Sequence, residues 1–212
     1  MTDNKPTDNK LTDSKLTDSK RTIRFYDTHS EEFAQAANTA DMHRDYEHFL
    51  RYVPKGGTIV DMGCGSGRDL KFFREAGYAA SGVDASEGMC RVAREYSLCD
   101  VVHCDALSWT AASKIDAIWA NGSLLHLHTD DIIAFIRTKT EFLKPGGILY
   151  FSMKAGIPEG FDEKGRYFTP FSETIVESAL ADGKLEIAER WTEGDSLGRE
   201  GFHWEAVILR KL

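Results

Sequence analysis

Three spaced glycines and an aspartate just before them are the residues of this sequence best suited to holding a polar small molecule. Asp61 precedes Gly63, Gly65 and Gly67 in the stretch Ile-Val-Asp-Met-Gly-Cys-Gly-Ser-Gly-Arg-Asp. Glycines on alternate positions let the backbone turn sharply and let a ligand lie against it. Asp84 follows at the distance where nucleotide-binding α/β units place the carboxylate that accepts hydrogen bonds from ribose hydroxyls.

Each of these carboxylates comes at the end of a predicted strand. β-branched residues favour a strand that ends near Asp61, and residues 78–83 and 101–104 predict strands that end at Asp84 and Asp105. In an open parallel sheet such ends share one edge, where ligands bind. An aspartate also caps helices and turns, so any one of them alone has an equally good structural explanation. Three in register with the glycine turn favour a ligand site.

The glycine spacing separates two kinds of nucleotide site. Dinucleotide-binding proteins usually carry Gly-x-Gly-x-x-Gly, which would fit a nicotinamide-dependent reductase. Here the pattern Gly63-x-Gly65-x-Gly67 counts against that and resembles motif I of the class I S-adenosylmethionine-dependent methyltransferases. The resemblance covers residues 59–154, and further motifs follow in family order: Gly-Val-Asp-Ala-Ser, His-Cys-Asp-Ala-Leu, Ile-Trp-Ala-Asn-Gly-Ser-Leu-Leu-His-Leu and Leu-Lys-Pro-Gly-Gly-Ile-Leu-Tyr.

This resemblance implies S-adenosylmethionine as the cofactor and S-adenosylhomocysteine as its product. Asp61 and the glycine turn would face the methionine portion, Asp84 would accept from both ribose hydroxyls, and Asp105 would accept from the adenine amino group. The loop at residues 124–127 and two later segments also look similar to a small bacterial branch grouped with tellurite-resistance methyltransferases. The cofactor-binding residues that the family pattern implies are Asp61, Gly63, Cys64, Gly65, Gly67, Arg68, Asp84, Ala85, Met89, Asp105, Ala106, Leu107 and Asn121.

Methyl transfer requires placement more than covalent help, and a base is needed only when the acceptor loses a proton. His126 follows the fourth predicted strand and is the candidate base, although a single histidine is as often structural. The family resemblance implies that Asn121 passes near the sulfonium. Lys154 and Arg166 are candidates to hold an anionic group of the substrate, or else to form salt bridges that shape their loop. The His-x-His at 126 and 128 has no carboxylate or cysteine at ligand spacing, so no metal is predicted.

The N-terminal part predicts a tail and a helical cap. Residues 1–20 repeat Thr-Asp-Asn/Ser-Lys every five residues, which matches neither helix nor strand and predicts a disordered tail, with an interaction tail as the alternative. Residues 21–56 show helical apolar spacing and predict two helices ahead of the first strand. Tyr26 in this cap is expected either to lie over the cofactor or to pack the helices on the sheet.

Residues 57–212 predict the cofactor-binding domain, an α/β fold with a Rossmann-like sheet and helices on both faces. Fourth and fifth strands are expected at 115–120 and 148–153, with a helix between them that runs to Leu143. A final helix over 171–181 precedes two strands, 185–191 and 202–210. The family resemblance implies seven strands, mostly parallel, with the last one antiparallel.

Composition narrows the possible partners. The 212 residues have a formal net charge of -8 and a pI of about 5.4, which argues against nucleic acid as the main partner. No apolar run is long enough to cross a bilayer, and four cysteines without Cys-x-x-Cys spacing favour a cytoplasmic, reduced setting. We therefore expect a monomer or small homo-oligomer that methylates a small molecule. The alternatives are a binding protein without catalysis and another transferase on the same scaffold, such as an aminopropyl transferase.

Overall fold

The computed structural model describes the backbone of residues 7–212 and the side chains of Lys15 and of residues 17–212. Nine strands and seven α-helices are assigned within this part of the chain. The strands are β1 Thr58–Met62, β2 Ala79–Asp84, β3 Asp100–His103, β4 Ile115–Asn121, β5 Leu143–Ala155, β6 Gly160–Phe161, β7 Tyr167–Phe168, β8 Leu185–Glu193 and β9 His203–Lys211. The helices are α1 Thr7–Thr28, α2 Ser30–Ala37, α3 His43–Leu50, α4 Arg68–Glu75, α5 Glu87–Ser97, α6 Thr129–Lys139 and α7 Glu173–Leu180.

Seven of the strands form one sheet in the order β3-β2-β1-β4-β5-β9-β8, while β6 and β7 form a separate small hairpin. β1 pairs in parallel with β2 and β4, β2 with β3, and β4 with β5. β9 runs antiparallel to both of its neighbours, β5 and β8. The predicted sheet, with seven strands and an antiparallel last strand, is confirmed.

Alternation along the central strands separates the core into two layers. On β4, Ile118 and Ala120 face the layer that α6 and α7 cover, whereas Ala117 and Trp119 face the layer that α3 and α4 cover. Successive side chains of a strand point to opposite faces, so a central parallel strand must be apolar on both. The crossover helices therefore leave the carboxyl edge of the parallel strands uncovered, and that edge is available for a site.

Two element boundaries differ from the sequence predictions. The helix before β5 ends at Lys139, and β5 begins at Leu143, ahead of the Lys-Pro-Gly-Gly segment that was expected to precede it. The pairing of β4 with β5 shifts register between Ile115 and Ala117, and this irregularity accommodates the extra residues. A β-bulge of this kind keeps the side-chain alternation of the rest of the strand intact.

The N-terminal region differs more. The sequence predicts no structure over residues 1–20 and two helices over 21–56, but α1 already begins at Thr7 and three helices precede β1. Part of the reason is pairing that a five-residue repeat does not reveal: Lys15 lies 3.5 Å from Asp130, and Asp18 lies 3.3 Å from His128. Residues 1–6 lie outside the described residues, so for them the predicted tail stays a prediction.

No helix within the described residues is both long and apolar enough to cross a membrane.

Candidate active site

A cavity of about 880 Å³ lies at the carboxyl edge of the parallel strands, a size that suits a cofactor together with a small molecule. Most of the residues that the sequence predicts for the site line this cavity. They are Tyr26, Gly63, Cys64, Gly65, Arg68, Asp84, Ala85, Met89, Asp105, Ala106, Asn121, His126, Lys154 and Arg166.

The glycine turn is pressed between two neighbouring segments. Gly63 has a φ of +71°, and a Cβ added there would lie 2.4 Å from the Cβ of Ser123. Ser123 is held in place because its hydroxyl donates to the carbonyl of Met62 over 2.6 Å. The N–H of Gly63 donates to the carbonyl of Val83 over 2.7 Å. Because any side chain would collide with Ser123, only glycine fits at this position. The backbone of the turn therefore forms part of the cavity wall.

Three predicted cofactor residues do not line the cavity: Gly67, Leu107 and Asp61, the last of which is described below. Gly67 has a φ of +79° and a Cβ there would lie 2.9 Å from the Cα of Ala93, so this glycine allows α4 and α5 to approach each other. Leu107 is 36% exposed on the surface. Cys64 lines the cavity, but its side chain packs in a buried cluster with Leu70. Spacing alone does not separate glycines that face a ligand from glycines that permit helix packing.

Asp84 is built into the turn as an acceptor. One carboxylate oxygen accepts from the N–H of Gly65 over 2.9 Å, and the other accepts from the N–H of Ser86 over 2.8 Å. Burial raises the pKa of Asp84, while these two backbone donors oppose the rise. Each oxygen keeps a second lone pair. The carboxylate can therefore accept from two adjacent hydroxyl groups without leaving the turn.

Asp61 is a buried carboxylate without a full set of partners. It is 2% exposed and is not among the residues that line the cavity, although its neighbours Met62 and Gly63 are. Its Oδ2 has no hydrogen-bond partner within the described part of the chain. Burial raises the pKa of Asp61 well above its usual range, and the nearby charge of Asp69 adds to the rise. A cationic amino group beside the turn would satisfy this carboxyl, and the amino-acid end of S-adenosylmethionine carries one.

Asp105 lies two residues after the end of β3. Its Oδ1 accepts from the N–H groups of Leu107, over 2.9 Å, and Ser108, over 3.3 Å, which fixes the turn after β3. Those two bonds leave Oδ2 available to a donor such as an amino group. Ala106 lines the same cavity and supplies apolar surface there.

Asp69 is the centre of a buried hydrogen-bond network next to the cavity. This network was not predicted from the sequence. Asp69 accepts from Tyr46 over 2.6 Å and from Trp119 over 2.8 Å. Arg68 donates to both oxygens of Asp69, over 2.6 and 3.0 Å, and so holds this carboxylate in place. Asn121 is engaged in the same way: it donates to Asp69 over 3.4 Å and accepts from Ser152 over 2.6 Å. The position of Asp69 directly after the Gly-Ser-Gly-Arg segment was the only available sequence signal.

His126 and Tyr26 meet at the cavity wall, although one hundred residues separate them in the chain. The Nδ1 of His126 lies 2.7 Å from the carbonyl of Tyr167, and its Nε2 lies 2.8 Å from the Tyr26 hydroxyl. A carbonyl can only accept, so Nδ1 carries the proton and Nε2 accepts from the Tyr26 hydroxyl. Burial lowers the pKa of His126 to about 4. The imidazole is therefore neutral at neutral pH.

We expect His126 to titrate well below the ordinary histidine value. In the unfolded chain it takes up a proton near pH 6.5, whereas in the folded chain it does so near 4. Its contribution to stability is therefore present above pH 6.5 and is lost as the pH falls through 4. Imidazole nitrogen NMR checks this, with His126→Gln to assign the signal. A midpoint near 6.5 in the folded chain would show that the imidazole is not buried as described.

Helix α1 is fastened over the site from both sides. The carboxylate of Asp27 accepts from the hydroxyl of Ser86 over 2.6 Å and from the N–H of Gly88 over 3.1 Å. On the other side, the N–H of Tyr167 donates to the hydroxyl of Thr22 over 2.9 Å. Tyr26 lies between these two attachments in the sequence, so they place its ring at the cavity.

Arg166 and Lys154 both line the cavity, but their surroundings differ. The guanidinium group of Arg166 donates twice to one oxygen of Asp162, over 2.7 and 2.9 Å, so the loop-shaping salt bridge is present. Lys154 forms no ion pair with any residue whose side chain is described, and its ammonium lies 4.3 Å from the ring centre of Phe202. These two cations cannot be treated as one substrate clamp.

A pair of carboxyl groups lies at the end of β8. Burial and a hydrogen bond with Asp45 raise the pKa of Glu193 to about 8. Asp45 also accepts from the Tyr150 hydroxyl over 2.9 Å. Sequence reasoning did not single out either residue, because α3 and β8 are separated by more than one hundred positions.

The Glu193 carboxyl makes folding stability depend on pH. A glutamate protonates near pH 4.3 in the unfolded chain and near 8 in the folded one, so stability falls as the pH rises through this window. Glu193→Gln keeps a neutral group beside Asp45, and we expect it to lessen the fall in unfolding free energy between pH 5 and 9. Urea titrations at pH 5, 7 and 9 measure this, with the exposed Glu177→Gln on α7 as the control. If the unfolding free energy falls equally with pH in the wild type, Glu193→Gln and Glu177→Gln, the raised pKa of Glu193 is wrong.

The fold is that of the class I S-adenosylmethionine-dependent methyltransferases. Residues 59–147 match the family model described as a methyltransferase domain. The predicted cofactor, S-adenosylmethionine, agrees with it.

Three similar proteins illustrate the match. A ubiquinone biosynthesis O-methyltransferase of Xanthomonas axonopodis pv. citri is 28% identical over 161 residues, covering 66% of this chain and 66% of that protein. The chain thus spans slightly less than two thirds of that relative. A 1,6-didemethyltoxoflavin-N1-methyltransferase of Burkholderia thailandensis, solved with S-adenosylhomocysteine, superposes with a TM-score of 0.73 at 18% identity over 99% of this chain and 93% of that chain. A TehB-like methyltransferase of Corynebacterium glutamicum superposes with a TM-score of 0.67 at 19% identity over 87% and 99%.

Proposed function

We propose that this chain transfers a methyl group from S-adenosylmethionine to a small-molecule acceptor. The observation that carries the proposal is the convergence of the glycine turn with Asp84 and Asp105 on one cavity, directly beside the underpartnered carboxyl of Asp61. The matched methyltransferase domain and the O-methyltransferase relative support the same reaction.

Different residues at this edge of the sheet would bind different parts of the cofactor. We assign the ribose hydroxyls to Asp84, whose oxygens both retain acceptor capacity, and the adenine amino group to Asp105. Asp61 and the turn at Gly63 and Gly65 would hold the methionine end. Ala85, Met89 and Ala106 supply apolar surface for the adenine ring.

The chain contributes mainly by positioning. S-adenosylmethionine, when bound, would supply a methyl group on a positively charged sulfur: an electron pair of the acceptor would form a bond to the methyl carbon as the carbon–sulfur bond breaks, and the neutral thioether would leave as S-adenosylhomocysteine. Holding two reactants in a productive orientation lowers a barrier by about 7 to 11 kcal/mol. We therefore assign the rate enhancement chiefly to the cavity walls that align donor and acceptor.

Tyr26 and His126 form the polar contact that is available to the acceptor. With a pKa of about 4, His126 is a weak base at neutral pH, since a base works best near the operating pH. We propose that it instead orients Tyr26 by accepting a hydrogen bond from its hydroxyl. Arg166 also donates to this oxygen, which leaves one lone pair of Tyr26 for a donor in the cavity. An acceptor with a hydroxyl group suits this arrangement.

The proposal includes the organisation of the chain. Helices α1 to α3 would act as a cap over the domain at residues 57–212, since Tyr26 lines the cavity and the attachments of Thr22 and Asp27 hold α1 across it. A cytoplasmic location and a monomer or small homo-oligomer remain part of the proposal. The four unpaired cysteines favour a reducing compartment.

Thermal unfolding with three ligands tests the cofactor. A ligand at about 100 times its Kd adds about 2.7 kcal/mol, which raises the Tm of a chain of this size by about 5 to 10 °C. We expect this rise with S-adenosylmethionine and S-adenosylhomocysteine and no rise with NADH. Stabilisation by NADH alone would overturn the proposal in favour of a reductase.

A further inference from the structure

The cavity has a second polar region, away from the glycine turn, where three cationic side chains gather. Lys154 ends β5, Arg166 precedes β7, and Arg199 lies in the loop between β8 and β9; all three line the cavity. Three positive groups at one end of a partly enclosed space attract anions. Their partners decide which of them is available to a ligand.

The two arginines already have carboxylate partners. Arg166 donates to Asp162 over 2.7 Å, and Arg199 donates to Asp195 over 2.8 Å. Trp204 also donates to Asp195, over 3.1 Å, so this carboxylate is fully occupied. Each arginine and its aspartate therefore cancel in charge, and Lys154 is the one of these three cations without an ion-paired carboxylate among the described side chains.

Lys154 is surrounded by aromatic rings instead of carboxylates. Its Nζ lies 4.3 Å from the ring centre of Phe202, 5.0 Å from that of Phe168 and 5.6 Å from that of Trp204. Burial and the nearby guanidinium groups of Arg199 and Arg166 lower the pKa of Lys154 to about 8. Ring faces stabilise an ammonium only partly, and two neighbouring cations oppose it. An anion at this position would supply the missing charge.

We propose that Lys154 is the anchor for a carboxylate of the methyl acceptor, with the rings of Phe168 and Trp204, which line the cavity, packing on the acceptor's apolar part. This inference rests on the proposed methyltransferase function and names the substrate class, a small carboxylic acid with a planar or apolar body. Arg166 and Arg199 hold Asp162 and Asp195 in ion pairs within the loops around the anchor.

Small probes test this on the full chain saturated with S-adenosylhomocysteine, so that the site for the cofactor's own carboxylate is filled. We expect benzoate in the millimolar range to raise the Tm by about 2 °C or more, and the neutral isostere benzamide to have no effect. Lys154→Met should abolish the benzoate effect, and Lys154→Arg, which keeps the charge, should retain it.

The outcomes separate the two proposals. If S-adenosylhomocysteine fails to stabilise the wild-type chain, the proposed function fails. If it stabilises both wild type and Lys154→Met, but benzoate has no effect or benzamide acts equally, only the carboxylate anchor is wrong. Loss of S-adenosylhomocysteine stabilisation in Lys154→Met would assign the lysine to the cofactor and would also overturn the inference.

Discussion

Asp84→Asn is expected to weaken binding of S-adenosylhomocysteine by about 30- to 1000-fold. Hydrogen bonds to a charged group contribute about 1.5 to 3 kcal/mol each, so the loss of charge and of one acceptor oxygen removes about 2 to 4 kcal/mol. In the wild type the N–H groups of Gly65 and Ser86 donate to the Asp84 carboxylate. In the variant the amide NH₂ group would face one of these N–H groups, and two donors cannot pair. Calorimetric titration of the variant with S-adenosylhomocysteine measures the effect.

A matched control exists at the opposite end of the sheet. Asp116 also accepts from a backbone N–H, that of Thr58 over 2.9 Å, and it pairs with Lys144 over 2.9 Å. Asp116→Asn makes the same chemical change away from the cavity, and we expect its Kd to stay within about twofold of wild type. Equal losses in both variants would mean that stability, and not the ribose contact, explains the result for Asp84.

Gly63→Ala is expected to abolish measurable cofactor binding and to lower stability. An L-residue in the left-handed conformation costs about 1 to 2 kcal/mol, and forcing a methyl group into filled space adds about 1 to 3 kcal/mol. The added Cβ would lie 2.4 Å from the Cβ of Ser123, so the turn must move away from Val83 and Met62. Urea unfolding and titration with S-adenosylhomocysteine measure the two effects.

Gly183→Ala is the control that distinguishes the cost of the left-handed backbone from the cost of the steric collision in Gly63→Ala. Gly183 has the same φ of +71°, but a Cβ there meets nothing within 4 Å. We expect this variant to lose only the backbone contribution and to bind the cofactor normally. In addition, Ser123→Gly should restore part of the binding in the Gly63→Ala background, because it removes the colliding Cβ. Normal binding by Gly63→Ala alone would contradict the packed turn.

The sheet and the three strand ends were predictable because they depend on local signals. β-branched and apolar runs mark the strands and glycine marks the turn; Asp84 is the last residue of β2, and Asp105 lies two residues after β3. Parallel topology then brings them to one edge without any knowledge of side-chain contacts. For the same reason most of the residues predicted for the site line the cavity, although they form only a minority of its wall.

The remainder depends on contacts between distant parts of the chain. The pairing of Tyr26 with His126, the partnership of Asp45 with Glu193 and the engagement of Asn121 by Asp69 have no local pattern. Asn121 was expected near the sulfonium and Arg68 near the methionine portion, either as a carboxylate partner or in a structural role; both line the cavity, and both also donate to Asp69. Gly67 follows the same glycine spacing as Gly63, yet its neighbour is a helix and not the cavity.

A crystal structure of the full chain with S-adenosylhomocysteine tests the central claim most directly. We expect the ribose hydroxyls within hydrogen-bond distance of Asp84, the amino group near Asp61 and the adenine beside Asp105. Density for the ligand at another surface, or a glycine turn that makes no contact with it, would contradict the assignment of this sheet edge as the cofactor site.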